Sequence, residues 1–275
     1  MRTAVDSLAS GTGAENEDWY FASPYLFVVL DGATARTNTG CAHGVSWYAA
    51  QLGAALSEGA HDPSTPLTDV LASGIARVAG LHPACDLSHE GTPSAAVAMV
   101  RPVGGWADYL VLGDVSVIFD RGGEVVVISD DRVSQTAVAE RRAADAYPTG
   151  SPEKNDAMVR MKHAELAMRN REGGYWIAAA EPAAARHARV GRVALAEVRR
   201  FAVLTDGATR IVSQFGELSW YEVLDLAETE GPQAVLRKVR AVESSDPRGL
   251  RWPRNKPSDD ATMAIAVDVR GADDD

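Results

Sequence analysis

Cysteine is nearly missing from this sequence: of 275 residues only Cys41 and Cys85 carry a thiol. One distant pair does not make the disulfide framework of a small secreted domain, and it suits a reducing cytoplasm. Zinc is disfavoured as well, because Cys41 and His43 form a single C-x-H pair with no matching second pair. No apolar run reaches the roughly 18 residues needed for a membrane span. The N-terminal stretch MRTAVDSLASGTGAENEDWY lacks the apolar segment of a signal peptide. Basic charge is scarce: 27 Lys and Arg face 38 Asp and Glu, leaving a net charge of −11. Such a surface repels nucleic acid and anionic membranes, so neither is expected as a partner. No Pro/Gly/Ser-rich linker divides the chain, and no period of roughly 20–50 residues marks a solenoid. A single cytoplasmic domain over 1–270 is expected, followed by a short acidic tail at 271–275.

What is present suits a sizeable core, with hydrophobic residues at 46% and charged residues at 24%. The run YLFVVL (25–30) reads as a strand buried on both faces. Further strands are expected at 94–100, 108–113, 115–119, 124–129, 174–180, 199–205 and 261–269. Their short separations, rich in Gly and Asp, predict antiparallel pairing. Helical periodicity is read at 40–59, 64–81, 155–170 and 231–244, with Ser64 or Thr65 as an N-cap for the second.

The tetrapeptide DGAT occurs twice, at 31–34 and 206–209, each time after an apolar run. The flanking sequences then diverge, so the repeat reads as one local turn used twice rather than a duplicated module. Other carboxylates also stand at expected strand ends or turns: Glu17 and Asp18, Asp114, and Asp259 and Asp260. Singly, each Asp is ordinary turn chemistry. Converging together, they could not stay ionised without a strong counter-charge, for which Mg2+ or Mn2+ is the natural choice.

The ordered set NED (16–18), LDG (30–32), GTPSAAV (91–97), LGDVS (112–116), TDG (205–207) and DDAT (259–262) resembles the protein phosphatase 2C (PPM) family of metal-dependent Ser/Thr phosphatases. The resemblance runs from about residue 10 to about 268. It implies an α+β fold, an αββα sandwich of two antiparallel sheets flanked by helices, with a flap-like insertion at about 131–172. It further implies two Mg2+ or Mn2+ ions, with a weaker third. Asp31 then resembles the carboxylate bridging both metals, with the Gly32 carbonyl beside it. Asp206 and Asp259 resemble ligands of one metal, Glu17 and Asp18 those of the other side, and Asp114 with Asp206 the third site. Catalysis would use a metal-activated water held by Asp31, Asp206 and Asp259, with no covalent nucleophile.

Departures from the family pattern fall on the groups that meet the substrate. Ala33-Thr34-Ala35 replaces the usual His or Met followed by Gly-Gly, and Gly13 and Ala14 stand where a phosphate-binding Arg often occurs. Arg36 is the candidate replacement, since Arg clamps phosphate through paired N–H donors; the plainer reading is a surface Arg. Arg210 is expected on a helix surface, and His43 near the start of a helix in a packing or solvent-facing role. The expected activity is hydrolysis of phosphoserine or phosphothreonine in proteins. The alternatives are a phosphatase of a small phosphorylated metabolite or a silent regulatory module.

Overall fold

The computed structural model describes residues 1–11 and 13–269, so the expected acidic tail at 271–275 lies outside the described residues. The strands in chain order begin with β1 (Arg2–Leu8), β2 (Trp19–Ser23), β3 (Leu26–Gly32), β4 (Ala95–Val103) and β5 (Trp106–Leu112). Then follow β6 (Ser116–Asp120), β7 (Val125–Ser129), β8 (Arg189–Ala194), β9 (Arg200–Leu204) and β10 (Ala261–Val267). One antiparallel sheet has the order β1-β10-β9-β6-β7 and the other β2-β3-β4-β5-β8. The helices are α1 (Val45–Gly59), α2 (Leu67–Ala79), α3 (Val138–Asp145), α4 (Pro152–Ala167), α5 (Asp206–Ser213), α6 (Trp220–Glu230) and α7 (Pro232–Ser245). Among them none is long and apolar enough to cross a membrane.

Side-chain alternation along each strand builds three stacked cores from this topology. On β3, Leu26, Val28 and Leu30 pack under Leu52 and Leu56 of α1 and Leu71 and Ile75 of α2. Phe27 and Val29 point the other way, into the seam between the sheets, against Val117, Phe201, Val203 and Ala264. Phe27 meets Phe201 edge-on with ring centroids 4.8 Å apart, fastening the two sheets. The outer face of the other sheet lies under α5, α6 and α7 through Leu204, Met263, Ile211, Leu224 and Leu236. The result is the expected αββα sandwich. It explains why YLFVVL shows no polar alternation: both faces of β3 are covered.

Three expectations about local structure need correction. Residues 174–180 form no strand; this run makes only isolated bridges, Ala95 with Ala178 and Arg169 with Tyr175. A hydrogen bond from Asn170 N to Tyr175 O (2.7 Å) and one from Ile177 N to Asn170 Oδ1 (2.8 Å) hold it as a folded-back loop. Ser64 and Thr65 do not cap α2, because both hydroxyls donate to Asp62 instead. The two DGAT copies are not one turn used twice. In the first, Asp31 and Gly32 end a strand, whereas in the second Asp206 opens α5.

Candidate active site

The period-2 rule that fills the seam also builds the site. Asp31 extends the Phe27–Val29 row, so its carboxylate lies at one end of the inter-sheet seam. Across from it, β9 ends at Leu204 and Asp206 starts α5, whose backbone N–H donates to Asp31 Oδ2 at 3.3 Å. Asp18 enters just before β2 and accepts from Thr205 Oγ1 (3.0 Å) and Thr262 Oγ1 (2.6 Å). Asp114 follows β5 through Gly113, whose φ of 84° suits only glycine and whose Cβ would sit 2.7 Å from that of Ala96.

The two DGAT glycines serve close approach rather than turn formation. A Cβ on Gly32 would lie 2.5 Å from the Glu17 carbonyl oxygen, and one on Gly207 would lie 2.0 Å from that of Asp260. Each glycine thus lets a second acidic segment dock against the first. Asp260 holds the assembly rather than facing the cavity, accepting from Ser10 N (2.7 Å) and Glu17 N (2.9 Å).

The carboxylates open onto one cavity yet are enclosed by protein, and their protonation reflects it. Burial, then Asp206, Asp18 and Asp114, push Asp31 well above the usual carboxylate range. Burial raises Asp18 to about 8 and Asp114 to about 7, the latter helped by Asp206. Asp206 and Glu17 are also raised, chiefly by burial. Asp259 behaves differently: burial opposes its charge, but Arg210 and Lys256 prevail and hold it below the usual range. One oxygen in this cluster, Asp18 Oδ1, is buried without a hydrogen-bond partner among the described residues.

Cations complete the cavity, and Arg141, Lys162 and Lys256 escaped the sequence reading. Lys256 Nζ donates to Asp259 Oδ1 and Thr34 Oγ1, both at 2.6 Å, while Thr34 donates onward to Glu17. Arg210 is not a surface residue: it is 9% exposed and pairs with Asp259 (2.5 Å) and Glu243 (3.4 Å). Arg36 lines the same cavity and reaches Asn255 O at 3.5 Å. Residues 131–172 carry α3 and α4, and Met161, Lys162 and Glu165 of α4 form one wall. The loop before Asp259 rims the site through Asn255 and Lys256, while its Trp252 is buried against Phe215. His43 points elsewhere, to Cys41 and Cys85. Of the sequence-predicted residues, Asp31, Gly32, Arg36, Asp114, Asp206 and Asp259 all line one cavity. Glu17 and Asp18 join them through Thr34 and Thr205.

A family model described as protein phosphatase 2C matches residues 10–239. The chain belongs to that family. Protein phosphatase 2C enzymes are metal-dependent phosphatases, which agrees with an oxygen-rich, cation-seeking cluster. Similar solved structures include the serine/threonine phosphatase PstP/Ppp of Mycobacterium tuberculosis, with 18% identity, 97% of each chain covered and a TM-score of 0.59. The PstP catalytic domain in complex with two manganese ions is 19% identical, with 97% of each chain covered and a TM-score of 0.57. PppA of Pseudomonas aeruginosa is 17% identical over 96% of each chain, with a TM-score of 0.54. No curated protein matches the sequence.

Proposed function

We propose that this protein phosphatase 2C member hydrolyses phosphoserine and phosphothreonine in proteins at the carboxylate cavity. The observation that carries the reading is the convergence of Asp18, Asp31, Asp114 and Asp206 with an unpartnered buried oxygen on Asp18. Carboxylates this close repel one another, and an all-oxygen donor set selects a hard divalent cation, Mg2+ or Mn2+. Asp31, the Gly32 carbonyl, Asp206 and Asp259 would hold one side; Glu17 and Asp18 the other; and Asp114 with Asp206 a third position. Asp259, now paired with Lys256, would join the set once a cation takes over that charge. Bound there, two such ions would supply a Lewis-acid clamp for phosphoryl oxygens and a water acidified for in-line attack.

The chain's own cations take the remaining work. Arg36 and Lys256, both lining the cavity, would bind the non-reacting phosphate oxygens, replacing the Arg absent near residues 13–14. Arg210 keeps Asp259 ionised and oriented. The wall from α4 would exclude water from the phosphate and leave one mouth for a flexible phosphorylated segment.

The test is turnover by the Mn2+-loaded protein of a phosphoserine and phosphothreonine peptide panel beside sugar and nucleotide phosphates. Peptide turnover that disappears in Asp31→Asn is expected. Turnover of metabolites alone would replace the protein substrate with a small phosphoester, and absence of any Mn2+ binding by calorimetry would overturn the reading.

A further inference from the structure

Away from the carboxylates, the structure assembles a second donor cluster of different chemistry. Cys41 and His43 stand on the loop between β3 and α1, and His82 and Cys85 follow α2. Donor atoms of Cys41, His43 and His82 all lie within 4.8 Å of one another. His43 Nδ1 is 3.6 Å from Cys41 Sγ and 3.5 Å from Cys85 Sγ. In a tetrahedral zinc centre, bond lengths of about 2.3 Å to sulfur and about 2.1 Å to nitrogen give S···N edges of about 3.6 Å.

His82 supplies the independent sign of a ligand. It is 5% exposed, and its Nδ1 donates to the Val78 carbonyl at 2.8 Å. A carbonyl can only accept, so the proton is on Nδ1 and the lone pair is on Nε2. That Nε2 is buried and has no hydrogen-bond partner among the described residues. A backbone carbonyl fixing the far nitrogen is the usual outer support of a metal-bound imidazole. Trp47 stacks on His43 at 4.2 Å and meets His82 edge-on at 4.8 Å, setting both rings. The His43 N–H points at Cys41 Sγ (3.4 Å), and Asp86 N donates to Gly40 O (2.9 Å), binding the two loops together.

We propose that Cys41, His43, His82 and Cys85 form a Zn2+ site separate from the carboxylate cavity. The C-x-H pair expected to stand alone finds its partner in H-x-x-C. Thiolate and imidazole donors select a softer cation than the carboxylates do, so the two sites sort different metals. Such a site would staple the loop that follows Gly32 and carries Thr34 and Arg36 to the end of α2. The assignment stands independently of the phosphatase reading.

The test uses the full chain, purified under reducing conditions, stripped with chelator and titrated with Co2+ in excess Mg2+. One equivalent should produce a thiolate-to-cobalt charge-transfer band with intense tetrahedral visible bands, displaced by Zn2+. The band should persist in Asp31→Asn and vanish in the Cys41→Ser, Cys85→Ser double variant. His82→Gln should weaken Zn2+ binding by at least the about 10–100-fold that loss of an outer hydrogen bond costs. Independently of any variant, one equivalent of Zn2+ should shield both thiols of the wild-type chain from a thiol reagent. The proposal is overturned if the wild type gives no charge-transfer band, if the band survives in the double serine variant, or if Cys41 and Cys85 are recovered as a disulfide without metal.

Discussion

At the scale of single residues, the site trades stability for charge. Asp31 sits among like charges, with the Asp206 backbone N–H donating to it, so neutralising it relieves repulsion. Asp31→Asn should therefore raise the melting temperature of the metal-free protein, abolish Mn2+ binding by calorimetry, and cut turnover about a thousandfold or more. Asp206→Asn should likewise lower turnover far more than metal-free melting temperature; equal damage to both would mark Asp206 as a structural residue. The pH dependence follows from the same groups. With Asp18 raised to about 8 and Asp114 to about 7, the folded chain binds these protons more tightly than the unfolded one. Metal-free stability should thus fall as pH rises from about 4 toward 8. Cations compete with those protons, so Mn2+ affinity should climb through pH 7–8. A pH-independent affinity across that window would remove these carboxylates from the ligand set. Lys256 is the cation most exposed to test: Lys256→Met should lower kcat/KM for a phosphopeptide about tenfold or more, the worth of a charge-assisted hydrogen bond.

At the scale of elements, buried arginines decide how firmly the parts are joined. Arg200 on β9 pairs with Asp120 of β6 (2.8 Å) and with Asp225 and Glu228 of α6 (both 2.6 Å). Arg200→Met would strand Asp120, which is 1% exposed, and should cost about 3–5 kcal/mol in urea unfolding. A loss below about 1 kcal/mol would mean the network carries little of the sheet–helix attachment. These pairings explain what could and could not be read from the chain. Strands covered on both faces, such as β3, announce themselves as apolar runs, and the aspartates at their ends stand out. Strand β8 (RVGRVA) is a largely exposed edge and shows no such run. Helix α5 hides its start inside the second DGAT, since in the first copy the same Asp-Gly ends a strand. Arg210 and the His82–Cys85 pair owe their roles to partners far away in sequence, as Lys256 does through Thr34, and no local pattern reports that.

For the whole molecule, a net charge of −11 surrounds a cavity lined by Arg36, Lys162, Arg210 and Lys256. Long-range repulsion and short-range attraction therefore act on the same anionic substrate. A phosphopeptide with basic flanks should show higher kcat/KM than one with acidic flanks, and the gap should shrink as salt screens the surface. Equal kcat/KM at low salt would show that the surface field does not reach the mouth of the cavity. The placement of Asp31 carries a further consequence for how this architecture can vary. Its inward aim depends on the parity of β3, with Phe27 and Val29 beneath it and Leu30 facing the helices. Removing one residue between Phe27 and Asp31 would turn the aspartate under α1 and swing an aliphatic side chain into the seam. A substitution at the cavity changes one group, whereas a deletion in the strand that feeds it misdirects the aspartate and the seam together.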